Sequence, residues 1–429
     1  QMNEDDTSRM LSFLSEIDYR RTTEPLRADL ILINTCTIRD KAEQKVYSTL
    51  GRLKAIKRDR PGLVIGVSGC VAQQKGDSLL KRIPHLDMVV GTHNIHRLPL
   101  LLKEASSGRR VAATELSDTI DGEEYRRSKE AGVKTFVNIM RGCNNYCSYC
   151  IVPYVRGREV SRAAREIITD VRGLAAGGTK EVTLVGQNVN SYGGEDEISF
   201  PELLRRVAGV DGIERVRFVT SHPKDISEEL IALFGEEPKL ARSVHLPVQS
   251  GSDRVLERMR RGYTARDYLG KVLLLKKLYP GISITTDIIV GFPGETDEEF
   301  QATMEILGEV EFDGVFSFKY SPRPGTMAAT FEDHVDEKIK VRRLDILQST
   351  QKEISARKNA EMVGRLKAVL VEGVSKGSAE ELTGRTECNR VVNFPADADI
   401  IGEMARVLIT DAYANSLRGV SQERSLLCS

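Results

Sequence analysis

The chain has 429 residues, and Lys plus Arg equal Asp plus Glu at 62 each, a formal net charge of zero. That balance excludes a uniformly basic nucleic-acid binder, and a content of 40% hydrophobic and 29% charged residues excludes a compositionally disordered chain. No apolar run approaches the roughly 18 residues of a membrane span, which excludes a transmembrane role, and the length suggests about three domains.

Leu30 to Asn34 reads as a buried strand, Lys41 to Lys57 as a helix and Leu63 to Ser68 as a second strand; Gly76 to Arg82 reads as helical and Met88 to Val90 as a third strand. Such alternation predicts parallel βαβ units. Cys36 and Cys70 each fall just past the C-terminal end of a strand, the edge at which open parallel sheets bind ligands. From about Glu115 to Arg127 the periodicity lapses into Asp118, Asp121, Gly122, Glu123 and Glu124, which reads as a linker.

Six candidate strands follow: Thr135 to Ile139, Glu181 to Val185, Arg215 to Val219, Ser243 to Pro247, Ser283 to Val290 and Val315 to Tyr320. Helical segments separate them at Arg162 to Ala176, Phe200 to Ala208, Ser227 to Phe234, Ala265 to Leu278 and Asp297 to Val310. This pattern predicts an α/β partial barrel of (βα)6 type with its chemistry at the C-terminal strand ends. A long polar helix, Lys338 to Lys358, leads into short strands at Leu366 to Glu372, Arg390 to Phe394 and Ala405 to Thr410, which predict a small all-β barrel of the kind that binds oligonucleotides. The expected division is 1–117, a linker at 118–128, 129–361 and 362–425.

Seven cysteines are too few for a disulfide scaffold and point to a reducing, cytoplasmic setting. No signal peptide is visible, although the chain starts at Gln1. Cys143, Cys147 and Cys150 form Cys-x3-Cys-x2-Cys directly after the first barrel strand, and three thiols on one loop can converge on one metal centre. The alternatives are a zinc knuckle, which needs a fourth ligand that neither a second CxxC nor a nearby His supplies, and three unrelated buried thiols. Three cysteine ligands on a four-iron cluster leave one iron open, as a catalytic cluster requires.

This spacing at the top of a (βα)6 barrel resembles the radical S-adenosylmethionine (SAM) enzymes. The resemblance implies that the open iron binds the amino and carboxylate groups of SAM, and that an electron from the cluster cleaves it to a 5′-deoxyadenosyl radical. Gly186-Gln187-Asn188 stands where many members have Gly-Gly-Glu, and Ile289-Val-Gly291-Phe-Pro-Gly294 resembles the adenine-contacting turn. Asn34-Thr-Cys36-Thr-Ile-Arg and Ser68-Gly-Cys70-Val-Ala-Gln resemble the N-terminal domain of the methylthiotransferases, which holds a second cluster on three cysteines. In that family the first of the three comes in Gly-Cys-Gln-Met-Asn-Glu; this chain opens on Gln1-Met-Asn-Glu4, so the resemblance implies that the ligand precedes Gln1.

Long stretches carry the likeness to the tRNA branch of this family, among them Val152 to Arg162, Val185 to Tyr192, Thr220 to Pro223, Leu246 to Asp253 and Phe318 to Thr326. Leu382 to Thr386, Arg390 to Phe394 and Asn415 to Gly419 resemble a TRAM domain, an RNA-binding β barrel. The resemblance implies methylthiolation at carbon 2 of N6-isopentenyladenosine beside the tRNA anticodon, using two [4Fe-4S] clusters and two SAM, a flavodoxin-like reductant and an iron–sulfur supply protein, in a monomeric enzyme. It carries cofactor binding to Gly186, Gln187, Asn188, Ser221, Gln249, Ser250, Asp287 and Gly291, and substrate binding to Tyr154, Arg156, Arg158, Arg385 and Arg390. Relatives acting on threonylcarbamoyl-adenosine in tRNA, or on a ribosomal-protein aspartate, are the alternatives within the family. A metal-stabilised RNA-binding factor is the alternative outside it.

Arg156 and Arg158 fit a phosphate contact or a solvated helix start equally, and Tyr146, Tyr149 and Tyr154 fit either base stacking or packing about a cluster. His222 and His245 read as strand-end structural or cofactor-lining residues, and Cys388 and Cys428 as incidental. The zero total conceals local charge. Residues 126–165 hold nine Arg and Lys against Glu130 and Glu159, and residues 338–358 hold seven against Asp345 and Glu353, so a tRNA backbone is expected to lie along these runs.

Overall fold

The computed structural model describes residues 2–35, 40–117, 119–120, 132–193 and 198–422. Near the N-terminus, β1 (Leu30–Thr35), β2 (Val64–Gly69), β3 (Met88–Val90) and β4 (Val111–Ala113) form one parallel sheet in that order. β2 is buried along its whole length because helices cover both faces. Ile65 and Val67 pack beneath the helices Asp40–Asp59 and Asp77–Arg82, while Val64, Met88 and Val90 pack against Met2–Ser15 and Leu98–Ser106. The helix expected over Gly76 to Arg82 is present as Asp77–Arg82, and a further short helix, Cys70–Lys75, precedes it across Gly76. The helix Met2–Ser15 is an addition to the sequence reading.

Six parallel strands make the central unit. β5 (Lys134–Asn138) is followed by a two-stranded ribbon, β6 (Met140–Arg141) and β7 (Val160–Ser161), that brackets the cysteine loop. Then come β8 (Glu181–Val185), β9 (Arg215–Phe218), β10 (Ser243–His245), β11 (Ser283–Val290) and β12 (Gly314–Lys319). They pair as β5-β8-β9 and β10-β11-β12, and Val216 joins the halves through backbone bonds to Lys239 and Ala241. On β11, Ile284, Ile288 and Val290 face the surrounding helices in the main core, so Thr285 and Asp287 face the barrel interior. The covering helices start where Ser199, Ser227, Thr264 and Thr296 accept a backbone N–H three residues on.

Beyond the helix Glu337–Ala360, β13 (Leu366–Val374), β14 (Glu381–Thr386), β15 (Val391–Pro395), β16 (Met404–Ala412) and β17 (Leu417–Ser421) close into a barrel around Val369, Val371, Phe394, Val407 and Ile409. It seats against the N-terminal ends of the central strands. Arg215 and Arg217 donate to the carbonyls of Arg385, Thr386 and Glu387, and Lys134 pairs with Glu372 at 2.6 Å. The N-terminal sheet seats at the opposite end, where Thr92 Oγ1 donates to the Val155 carbonyl at 2.7 Å and His93 Nε2 donates to that of Arg156 at 2.9 Å. No helix among the described residues is long and apolar enough to cross a membrane.

Candidate active site

The cysteine loop leaves β6 through Gly142, whose φ of +77° suits glycine, and a Cβ there would lie 1.9 Å from the Arg158 carbonyl oxygen. Gln187, just past β8, accepts the Gly142 N–H at 2.5 Å. Ser148 is clamped by its own N–H to the Met259 carbonyl at 3.0 Å and by its hydroxyl to that of Arg258 at 2.7 Å. Burial pushes the Cys143 thiol up to about 11 and the Cys150 thiol up to about 12, and Cys147 adds to both shifts. Among the described residues no three His, Cys, Asp or Glu side chains are placed to hold a single metal ion. Cys143, Cys147 and Cys150 are all free thiols on this loop, and a polynuclear cluster, unlike a zinc knuckle, needs no fourth protein ligand.

Around this loop the C-terminal strand ends carry a ring of buried polar atoms with no hydrogen-bond partner within the protein. They are Asn138 Oδ1, Gln187 Nε2, Asn188 Oδ1, Ser221 Oγ, His222 Nε2 and Gln249 Oε1. Each would cost about 1–3 kcal/mol if left unsatisfied, so their concentration at one end marks a polar ligand site. Burial, then Arg261, Lys224 and Lys271, lower the His222 pKa to about 2, so its ring is neutral there. Thr220 and Gln249 hold φ of +70° and +71°, strain that collects where strands deliver side chains to a site.

A second thiol abuts this end of the barrel. Thr35 and Gly69 are register partners on β1 and β2, and Cys70 follows Gly69 directly. Cys70 is buried in one cluster with Ile151 and Val155, the residues just beyond Cys150. Cys36 lies outside the described residues, as do Cys428 and most of the expected linker.

Family models match the radical SAM superfamily over residues 137–307, the TRAM domain over 360–420 and the uncharacterized protein family UPF0004 over 1–91. A tRNA-2-methylthio-N(6)-dimethylallyladenosine synthase of Geobacter sulfurreducens is 53% identical over 423 residues, 98% of this chain and 95% of that one. The protein of the same name in Syntrophus aciditrophicus is 50% identical over 98% of this chain and 92% of its own. The chain belongs to this synthase family. It is therefore grouped with the radical SAM tRNA methylthiotransferases. A solved structure of the radical SAM methyltransferase TsrM from Kitasatospora setae superposes with a TM-score of 0.54 at 17% identity, covering 75% of this chain and 68% of that one. That likeness concerns the fold.

In this chain, Gly186, Gln187, Asn188, Ser221, Gln249, Asp287 and Gly291 all lie on the interior or C-terminal ends of the central strands. Ser250 does not join them. Its hydroxyl approaches Thr303 Oγ1 at 3.4 Å and accepts the Ser252 N–H at 3.2 Å, so it ties the strand end to the helix behind it. Gly291 is the turn residue after β11, at φ +68°, with its N–H on Glu295. Asp287 faces His245 at 3.4 Å, and His245 also meets Thr285 at 3.0 Å and the half-exposed ring of Phe316.

Arg156, offered by sequence as a phosphate contact or a solvated helix start, is neither. It is 5% exposed, pairs with Asp6 at 2.6 Å and lies beside Cys70; the carboxylate and the thiol hold its charge against the opposing effect of burial. Arg390 is likewise committed, to Asp313 at 2.7 Å and to Asn359, at the seam between the two barrels. Arg385 binds Glu372 and the Asn389 carbonyl. Among the described residues of the two basic runs, Arg162 also pairs with Asp170, Arg343 with Glu295 and Asp297, Arg357 with Glu311 and Lys358 with Asp313. Arg158, Tyr154 and Tyr146 stay exposed beside the loop, with the two tyrosine rings edge to face at 6.2 Å. Sequence reasoning missed Asp6, Arg261 and Phe316, none of which carries a spacing signal.

Proposed function

We propose that this enzyme adds a methylthio group to carbon 2 of N6-isopentenyladenosine at position 37 of tRNA, using two [4Fe-4S] clusters and two SAM. The observation that carries the reading is the packing of Cys70 against Ile151 and Val155, directly beyond the radical-type cysteine loop. Carbon 2 of adenine bears a hydrogen with no acidic proton, so acid–base groups alone cannot functionalise it. A cluster on Cys143, Cys147 and Cys150 supplies, when bound, the electron that cleaves SAM. Cys36 and Cys70 hold the sulfur-donating site.

The chain's own groups then have distinct tasks. Gln187, Asn188, Ser221, neutral His222 and Gln249 receive the polar groups of SAM, which satisfies their buried atoms. Arg158, Tyr154 and Tyr146 meet the anticodon loop, and Phe316 offers a ring face inside the barrel to the flipped base. The TRAM barrel sits at the other end of strands about five residues long, roughly 17 Å away, so it touches the stem while the base enters above. We assign these tasks to units at 1–117, 129–361 and 362–425. A flavodoxin-like reductant and an iron–sulfur supply protein complete the cycle.

Deleting the gene and digesting tRNA for nucleoside mass spectrometry tests the reading. Isopentenyl-adenosine lacking methylthio should accumulate, with threonylcarbamoyl-adenosine derivatives unaltered. An unchanged nucleoside profile refutes the assignment.

A further inference from the structure

Arg261 closes the helix-turn segment after Asp253–Arg258 and is 5% exposed. Each of its guanidinium nitrogens has a protein partner. Nε donates to the Tyr263 hydroxyl at 3.0 Å, Nη2 to the Pro247 carbonyl at 2.9 Å, and Nη1 to Cys147 Sγ at 3.4 Å. Tyr263 is itself fixed, its hydroxyl donating to the Val248 carbonyl at 2.8 Å. The same turn holds the cysteine loop by its backbone, through the Arg258 and Met259 carbonyls on Ser148. An arginine stays protonated throughout the accessible pH range, so the buried guanidinium is a cation.

We propose that Arg261 is a positioning residue that sets the reduction potential of the cluster on the Cys143–Cys150 loop through its charged hydrogen bond to the Cys147 sulfur. A cluster with three thiolate ligands is anionic, and adding an electron increases that charge. A buried cation at one ligand sulfur offsets the increase, and a donor to that sulfur withdraws density from it, so both effects raise the potential. The three sulfurs are treated unequally. Cys143 and Cys150 interact with the backbone at Asn145 and Val152, whereas Cys147 receives a charge-assisted bond, the stronger kind. Three of the five guanidinium N–H donors are engaged, one of them on Cys147, and it is through that sulfur that Arg261 acts on the cluster.

The inference rests on the cluster assignment and is tested by redox titration followed by electron paramagnetic resonance. The full chain is used with Cys70→Ala throughout, so that only the loop cluster reports. Arg261→Gln should move the potential to a more negative value at unchanged iron content. Arg261→Lys, which keeps the charge but not the three-way fork, should move it less and in the same direction. Potentials equal to or above the parent's in iron-replete variants overturn the proposal; if the Gln variant loses iron, the Lys variant alone decides. Absence of a reduced-cluster signal in the parent would instead overturn the cluster assignment.

Discussion

Asp6→Ala should uncouple the N-terminal sheet from the central barrel. The Asp6 and Arg156 side chains are 1% and 7% exposed and meet at 2.6 Å, which places the pair among buried ion pairs rather than surface pairs worth under about 1 kcal/mol. Removing one partner of such a pair costs about 3–5 kcal/mol, because the remaining charge stays buried. At about 1.4 kcal/mol per power of ten, that is two to three and a half powers of ten in the docking equilibrium. Asp6 also lies 3.6 Å from Arg9, which is 5% exposed, so removing the carboxylate affects two buried guanidiniums. Arg156→Met leaves Asp6 with Arg9 and should cost less. Denaturant melts of both single variants and the double variant form a cycle, and the double should be milder than the sum by about 2 kcal/mol or more. Strict additivity, with each single under about 1 kcal/mol, would refute the reasoning.

Glu181 lies beneath the TRAM barrel at 2% exposure, between Arg215 at 3.4 Å and Arg217 at 3.0 Å. Glu181→Gln should therefore loosen that barrel by about 3–5 kcal/mol, read as earlier proteolytic release of residues beyond 360 and weaker tRNA binding; unchanged release counts against it. His222, held at about 2 when folded against an ordinary 6.5, contributes stability that is present above pH 6.5 and lost as pH falls toward 2. His222→Gln should flatten that part of the stability–pH curve, and parallel curves would show that the ring does not titrate this way. Phe316→Ala should raise KM for tRNA by roughly tenfold, the worth of about 1–3 kcal/mol of base stacking, and leave SAM cleavage without tRNA unchanged. An unaltered KM removes Phe316 from the base site.

Elements with clean periodicity were legible: Met88–Val90, Glu181–Val185, Phe200–Ala208, Ala265–Leu278, Ser283–Val290 and Asp297–Val310 coincide with the sequence reading. The helix Met2–Ser15 was not, because its buried face carries Asp5, Asp6 and Arg9, which read as surface. β14 and β17 escaped for a related reason. Gly384 and Gly419 interrupt their patterns, and both stand where a Cβ would strike a neighbouring strand's carbonyl. At the site, the cysteine spacing marked a loop that lies within the radical SAM match over 137–307. In the basic runs, net charge per segment ignores partners: Arg156 and Arg343 each meet a carboxylate from a distant part of the chain. Arg261 was invisible because its sulfur partner lies 114 residues away.

The central claim is that two cysteine sets do different work at one end of the barrel. It is tested most directly by incubating reduced, reconstituted enzyme with SAM and isopentenylated tRNA and measuring 5′-deoxyadenosine and methylthiolated nucleoside together. Cys147→Ala should yield neither product, whereas Cys70→Ala should still release 5′-deoxyadenosine but form no methylthiolated nucleoside. Full methylthiolation by Cys70→Ala would contradict the account.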